Sequence, residues 1–368
     1  MSNLPRIVHL AMATDWRGGE QQLAYLLEES ARLGEDALLI CAKGSTLEAY
    51  AVNNDIAHEA WSFKRNLDFR FFYKLARFCK NQNIQLLAVH DSKGHTAAWL
   101  SARLFGNPSK IVVHRRVDFH VSASSGSKYL HRSVAGYICV SKAVQNMLEE
   151  SLQGRKPSVL VYDGIDTNRF RHPVNGKLRK TFKLKESTKV VVNVAALTQQ
   201  KDYFTFLDTA EIILSEFPNT RFIAFGEGHQ EAELKAYAER LKISDQVIFA
   251  GFREDLPDML AEADAFLFSS ETEGLGTSML DAMACSVPVV CTNAGGILEV
   301  AQHRVNAYVA DVRDSAKLAS GLRMILLEES EPELWMAAGR KTADAFSKEK
   351  MAIKTLESYG NFLELPSR

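Results

Sequence analysis

No apolar run in the chain reaches the roughly 18 residues that a membrane-spanning helix needs, so no segment is expected to cross a bilayer. The opening residues, MSNLPRIVHL, lack the basic start, long apolar stretch and small-residue cleavage site of a secretory signal, and a cytoplasmic location is the expectation. Cysteine is scarce. Cys41, Cys79, Cys139, Cys285 and Cys291 are odd in number and scattered, and none forms a Cys-x-x-Cys pair. This argues against a disulfide framework and a zinc site, and fits a reduced chain with buried thiols. The basic excess that nucleic acid demands is also missing, since the net charge is −1. No internal repeat or low-complexity segment stands out.

What is present is ordinary for a soluble globular protein: 46% apolar and 24% charged residues. A length of 368 residues predicts two domains. Charge is uneven along the chain. Residues 1–170 carry 21 Lys and Arg against 16 Asp and Glu, a balance of +5, and the remainder carries −6. The two halves are thus expected to meet different partners.

Short apolar runs alternate with helical patterns. Strands are expected at Arg6–Ala13, Ala37–Cys41, Gln85–His90, Lys110–His114, Tyr137–Val140 and Val159–Tyr162. Helices are expected at 19–33, 45–54, 68–81, 94–105 and 142–152. Residues 171–188, with Pro173, Gly176 and many basic side chains, read as a linker. The order then restarts, with strands at 189–194, 221–225, 247–250, 264–268 and 287–291. The last stretch, Lys348–Leu365, is amphipathic through Met351, Ile353, Leu356 and Phe362. Repeated βα order predicts parallel sheets covered on both faces, hence an α/β chain of two doubly wound domains with ligands at the carboxyl ends of the strands.

Six stretches at such ends carry polar chemistry. In DWRGGEQQL (15–23), Gly18 and Gly19 open a helix whose N-terminus suits an anion, or they form a tight turn with Glu20 in the first helical turn. The pattern is not Gly-x-Gly-x-x-Gly, so a dinucleotide site is not supported. In VHDSKGH (89–95), His90 and Lys93 are candidate ligand contacts, while Asp91 or Ser92 serves equally as a helix cap. IVVHRRVD (111–118) places His114, Arg115 and Arg116 at a strand end, a histidine for a hydroxyl or a proton and two arginines for a phosphate or carboxylate. Lys201 follows the first strand of the second domain, as a point charge for phosphate or a solvated loop residue. Gly226 and Gly228 of FGEGHQEAEL turn amides toward a phosphate or form a plain turn. In SSETEGLGTSMLDAMA (269–284), Glu273 and Asp281 flank a glycine turn, and Ser278 with Asp281 has capping-box spacing. Separately, residues 63–80 interleave five phenylalanines with six basic residues, as a covering helix or as a basic amphipathic face for anionic lipid.

In order, these stretches resemble glycosyltransferase family 4, the group 1 glycosyltransferases. The resemblance covers nearly the whole chain and rests also on CVSKAVQNML (139–148), VYDGIDTNRF (161–170), GFREDL (251–256) and AGGILEV (294–300). It implies the GT-B fold, two Rossmann-like domains facing each other across a cleft. Residues 1–172 would form an acceptor-side domain with a helix at 348–368 packing back on it, and 173–347 a nucleotide-sugar domain. It implies retaining, metal-independent transfer of sugar from a nucleotide sugar, with no cofactor; no Asp-x-Asp metal motif stands at a strand end, which agrees.

In that reading His114 and Glu273 are catalytic. Gly18, Gly19, Lys201, Gly226, Phe252, Gly274, Leu275, Gly276, Thr277 and Asp281 bind the donor, with Asp281 on the ribose and Phe252 near the base. His90, Lys93, Arg115 and Arg116 face the acceptor. A UDP-sugar is the favoured donor. The implied acceptor is a membrane-bound or cell-envelope glycan of the lipopolysaccharide type, with peripheral contact to the anionic inner membrane surface. The sequence departs from the family pattern twice. Ala195-Ala196-Leu197 stands where Gly-Arg-Leu is usual, leaving Arg115, Arg116 or Arg253 to compensate, and Asp281 replaces the usual glutamate. The missing arginine motivates one alternative, a catalytically silent binding subunit, and the similar two-domain fold of a nucleotide-sugar epimerase offers another.

Overall fold

The structure, a computed structural model, describes residues 7–63, 68–117, 119–122, 125–170, 175–327 and 332–365. The chain divides into two units, Met1–Gly164 with Lys348–Arg368, and Ile165–Ser347.

The first unit holds strands β1 (Ile7–Ala11), β2 (Ala37–Ala42), β3 (His58–Trp61), β4 (Leu86–Val89), β5 (Lys110–Arg115), β6 (Val134–Cys139) and β7 (Ser158–Leu160). They form one sheet in the order β3-β2-β1-β4-β5-β6-β7, every neighbouring pair parallel. Helices α1 (Gly18–Arg32), α2 (Thr46–Asn53), α3 (Phe69–Asn81), α4 (Ser92–Phe105), α5 (Gly126–Tyr129) and α6 (Lys142–Leu152) follow their strands. Side chains alternate along β1. Val8 and Leu10 enter the core with Phe71, Phe72 and Leu75 of α3, while Ile7 packs with Leu26 of α1.

The second unit repeats the plan. Its strands are β8 (Lys189–Val194), β9 (Thr220–Phe225), β10 (Val247–Gly251), β11 (Ala265–Phe268), β12 (Val289–Thr292) and β13 (Tyr308–Ala310), in the parallel order β10-β9-β8-β11-β12-β13. Its helices are α7 (Lys177–Phe182), α8 (Tyr203–Glu216), α9 (Glu231–Arg240), α10 (Pro257–Leu260), α11 (Thr277–Ala284), α12 (Ser315–Leu326) and α13 (Pro332–Ala345). The last helix of the chain, α14 (Lys348–Glu364), belongs to the first unit and packs on α1, β5 and β6. Phe362 of α14 fits over Gly136, where an added Cβ would lie 2.1 Å from the phenylalanine ring.

In each sheet the strand order turns at one point, between β1 and β4 in the first unit and between β8 and β11 in the second. Loops leaving these strands in opposite directions open a crevice there.

Several expectations shift. The linker is not wholly irregular: Lys177–Phe182 is helical, Leu178 is buried, and the Leu178 and Arg179 amides donate to the Glu262 carboxylate at 3.1 and 3.2 Å. Residues 171–174, with Pro173 and the anticipated boundary at 172/173, lie outside the described residues, as do Arg6 and 366–368. In α14 the buried face is Met351, Ala352, Thr355, Leu356, Ser358, Tyr359 and Phe362, whereas Ile353 faces solvent. Helix α3 buries Phe71, Phe72, Leu75, Ala76 and Cys79 and exposes Arg70, Tyr73, Lys74, Arg77 and Lys80, the covering-helix arrangement. Lys64 and Arg65 of the basic stretch lie outside the described residues.

Candidate active site

The motif residues gather at the two turning points. In the second unit, the loop after β8 carries Lys201 and the loop after β11 carries Glu273. Their side chains form an ion pair, Lys201 Nζ to Glu273 Oε2. The Glu271 amide donates to Gln200 O at 2.8 Å and the Ser269 hydroxyl to Lys201 O at 3.1 Å, so the two loops are laced together. The Gly296 amide donates to Glu273 O at 2.9 Å, adding the loop after β12.

The turn between Glu273 and α11 is built for glycine. Gly276 has φ of +87°, and a Cβ there would lie 3.0 Å from the Phe268 ring. It is the N-cap of α11, which begins at Thr277. The capping box expected from Ser278 and Asp281 is therefore absent, because Ser278 already lies inside the first turn. The amides of Gly274, Leu275 and Gly276 donate to no protein acceptor among the described residues. Free amides at a helix N-terminus beside a lysine form an anion cradle.

Asp281 lies on α11, partly buried, and its carboxyl group has no hydrogen-bond partner among the described residues. Loss of solvation pushes its pKa up to about 8, against the pull of Arg169.

The Gly-x-Gly turn after β9 has another purpose. A Cβ on Gly226 would lie 2.1 Å from Ala195 O, and one on Gly228 would lie 2.2 Å from Leu197 O. The Gly226 amide donates to Gly251 O at 2.9 Å, and the Leu197 amide to Glu227 O at 3.0 Å. These glycines let the turn pack on the β8 loop, and the Gly226 amide is not open to a phosphate as expected. Phe252 is 60% exposed, and its neighbour Arg253 is engaged by Asp255 through two contacts of 2.8 Å.

In the first unit, Gly18 and Gly19 open α1, where Glu20 accepts from the Arg17 amide at 3.0 Å. The fold does not require glycine at either position. A Cβ on Gly18 would meet nothing within 4 Å, and one on Gly19 only Arg116 Cδ at 3.8 Å. Space left open there favours close approach by a ligand. Asp91 caps α4, accepting from the Gly94 amide at 2.8 Å, and also accepts from the Met12 amide, so it ties the turning point together. Lys93 is exposed.

Three histidines stand side by side: His9 on β1, His90 just past the end of β4, and His114 on β5. His9 Nδ1 lies 3.0 Å from His90 Nε2, the His90 and His114 rings stack at 4.2 Å, and His114 Nε2 lies 2.6 Å from the Tyr359 hydroxyl. Burial lowers all three pKa values, that of His9 to about 3, so the row is neutral. The two arginines after His114 part ways. Arg115 is buried and its two terminal nitrogens donate to the Tyr129 hydroxyl and to Phe119 O, so they are not free for an acceptor as expected, while its Nε is buried without a partner among the described residues. Arg116 pairs with Asp163 through Nε at 3.2 Å, while its Nη1 has no partner among the described residues. His9, Asp163 and Tyr359 are the members the sequence reading missed.

Among the described residues no group of three or more His, Cys, Asp or Glu is placed to hold a metal ion, and no helix is long and apolar enough to cross a membrane. A hollow of about 1170 Å³ lies at the amino ends of β5 and β6, lined by Lys110, His131, Arg132 and Lys156, away from every motif residue.

Comparison with known proteins places both halves. Residues 16–169 match the family model described as Glycosyltransferase Family 4, and residues 174–342 the model described as Glycosyl transferases group 1. N-acetyl-alpha-D-glucosaminyl L-malate synthase of Bacillus anthracis is 26% identical over 299 residues, covering 79% of this chain and 77% of that one. The UDP-Gal:alpha-D-GlcNAc-diphosphoundecaprenol alpha-1,3-galactosyltransferase of Escherichia coli is 22% identical over 297 residues, covering 76% and 77%. In structure, Anabaena HepE in complex with UDP and glucose superposes with a TM-score of 0.84 at 19% identity, covering 97% of this chain and 100% of that one.

Proposed function

The chain belongs to the group 1 glycosyl transferases, and from that premise we propose that it moves a hexose with retention from a UDP-sugar to a membrane-bound or cell-envelope glycan, without a metal or other cofactor. The observation that carries this reading is the anion cradle of the second unit, where the free amides of Gly274, Leu275 and Gly276 meet the α11 N-terminus beside Lys201. A nucleoside diphosphate has the charge and the oxygen array to fill it. Asp281 then takes the ribose hydroxyls and Phe252 lies along the base. Glu273, held by Lys201, receives hydroxyls of the transferred sugar.

In the first unit, the open space at Gly18 and Gly19 suits the departing diphosphate. Arg116 lies beside Gly19 and keeps its Nη1 without a partner among the described residues, so it supplies a cation for that diphosphate. His114, neutral, contacts the sugar. In the reaction the bond from C1 to the diphosphate breaks, and the acceptor oxygen bonds C1 on the same face. The acceptor proton leaves on the diphosphate. Relatives support donor and acceptor class: the E. coli galactosyltransferase takes UDP-Gal and a diphosphoundecaprenol-linked sugar, and HepE was crystallised with UDP and glucose.

Thermal shift with UDP, GDP and ADP tests the reading, since a ligand that binds only the native state raises its melting temperature. UDP is expected to stabilise most, and Lys201→Ala to lose the effect. No shift with any nucleotide contradicts the proposal.

A further inference from the structure

His114 lies in β5 with one ring face against His90 and its edge toward Tyr359, the ring centroids 4.2 and 5.8 Å away. Tyr359 is fully buried and reaches the site from α14, a helix seated on the sheet by Phe362 over Gly136. Its hydroxyl lies 2.6 Å from His114 Nε2 and makes no other hydrogen bond among the described residues. If that hydroxyl only accepted, its own hydrogen would be stranded in the interior. Donating to Nε2 satisfies both atoms. A neutral imidazole that accepts at Nε2 carries its proton on Nδ1, and Nδ1 has no protein partner among the described residues.

We propose that Tyr359 is a positioning residue that locks His114 in the Nδ1–H tautomer, so that His114 presents an N–H donor to a hydroxyl of the transferred sugar. The role in transfer rests on the reading of His114 given above; the tautomer does not. Because α14 carries the phenol, the last helix of the chain takes part in the chemistry of the first unit rather than only covering its sheet.

Tyr359→Phe tests this while keeping the ring and its packing. In histidine-labelled protein, the ring nitrogens of wild-type His114 are expected to show a protonated Nδ1 and a bare Nε2 by 15N NMR. In Tyr359→Phe the proton is expected to move wholly or partly to Nε2. In transfer assays the variant is expected to lose about tenfold in kcat, with donor KM changed less than about twofold. In a His114→Ala background the same substitution is expected to change nothing further. An Nε2-protonated wild type, an unchanged spectrum in Tyr359→Phe, or an equal loss in the His114→Ala background overturns the proposal. Should no donor support transfer, the proposed function falls, and the spectrum alone decides the tautomer.

Discussion

Asp281 shows at the scale of one residue how a binding site works against the fold. Its carboxyl group has no partner among the described residues, and burial raises its pKa to about 8. A raised acid favours folding fully below its unfolded value of about 3.8, and that contribution is lost as pH climbs to about 8. Asp281→Asn removes the penalty. The variant is expected to melt level with the wild type near pH 4 and above it at pH 8, by about 2–4 °C for each kcal/mol relieved. Melting curves across that range check the sign; equal curves at every pH show that the carboxyl is not held away from water. The same substitution is expected to weaken nucleotide binding. Wild-type affinity should rise between pH 7 and 9, as the acid ionises to accept ribose hydroxyls, and titration of Asp281→Asn should lack that rise.

At the scale of elements, the two glycine turns of the second unit look alike in sequence and differ in cause. Gly276 opens a helix with a left-handed backbone and leaves amides free, whereas Gly226 and Gly228 are forced by the carbonyls of Ala195 and Leu197, some thirty positions away. Gly228→Ala is expected to push the β8 loop aside, destabilising the second unit by about 1–3 kcal/mol and displacing Lys201. Denaturant unfolding measures the loss, and an unchanged midpoint refutes the close approach. Distance also limits what the sequence reveals. Strands such as β8 and β11 were legible because both faces are buried and their residues are almost all apolar. The edge strands β3 and β13 were not, since His58-Glu59-Ala60-Trp61 has no apolar run and Tyr308–Ala310 spans three residues. The spacing from Glu273 to Asp281 fitted a ligand site and a helix cap alike until the other motifs were read with it in order, but the hydrogen bond from His114 to Tyr359 joins residues 245 apart, and no local pattern announces it.

At the scale of the molecule, the two units share one plan and differ in charge and outer surface. On the first unit, α3 and α4 contain no acidic residue and together expose Phe69, Tyr73, Leu104 and Phe105 among Arg70, Lys74, Arg77, Lys80 and Arg103. Such a face is proposed to rest on anionic lipid, near a lipid-linked acceptor. Co-sedimentation with phosphatidylglycerol vesicles is expected and should fade at high salt; equal binding to neutral vesicles removes the electrostatic argument. Retaining transfer from a nucleotide sugar is the activity proposed for the whole chain. It is tested most directly by incubating the protein with α-linked UDP-hexoses and a lipid-linked glycan acceptor, and reading the anomeric proton of the product by NMR. Release of UDP and a product that keeps the α configuration are expected; a β-linked product, or no UDP released from any donor, rules out retaining transfer.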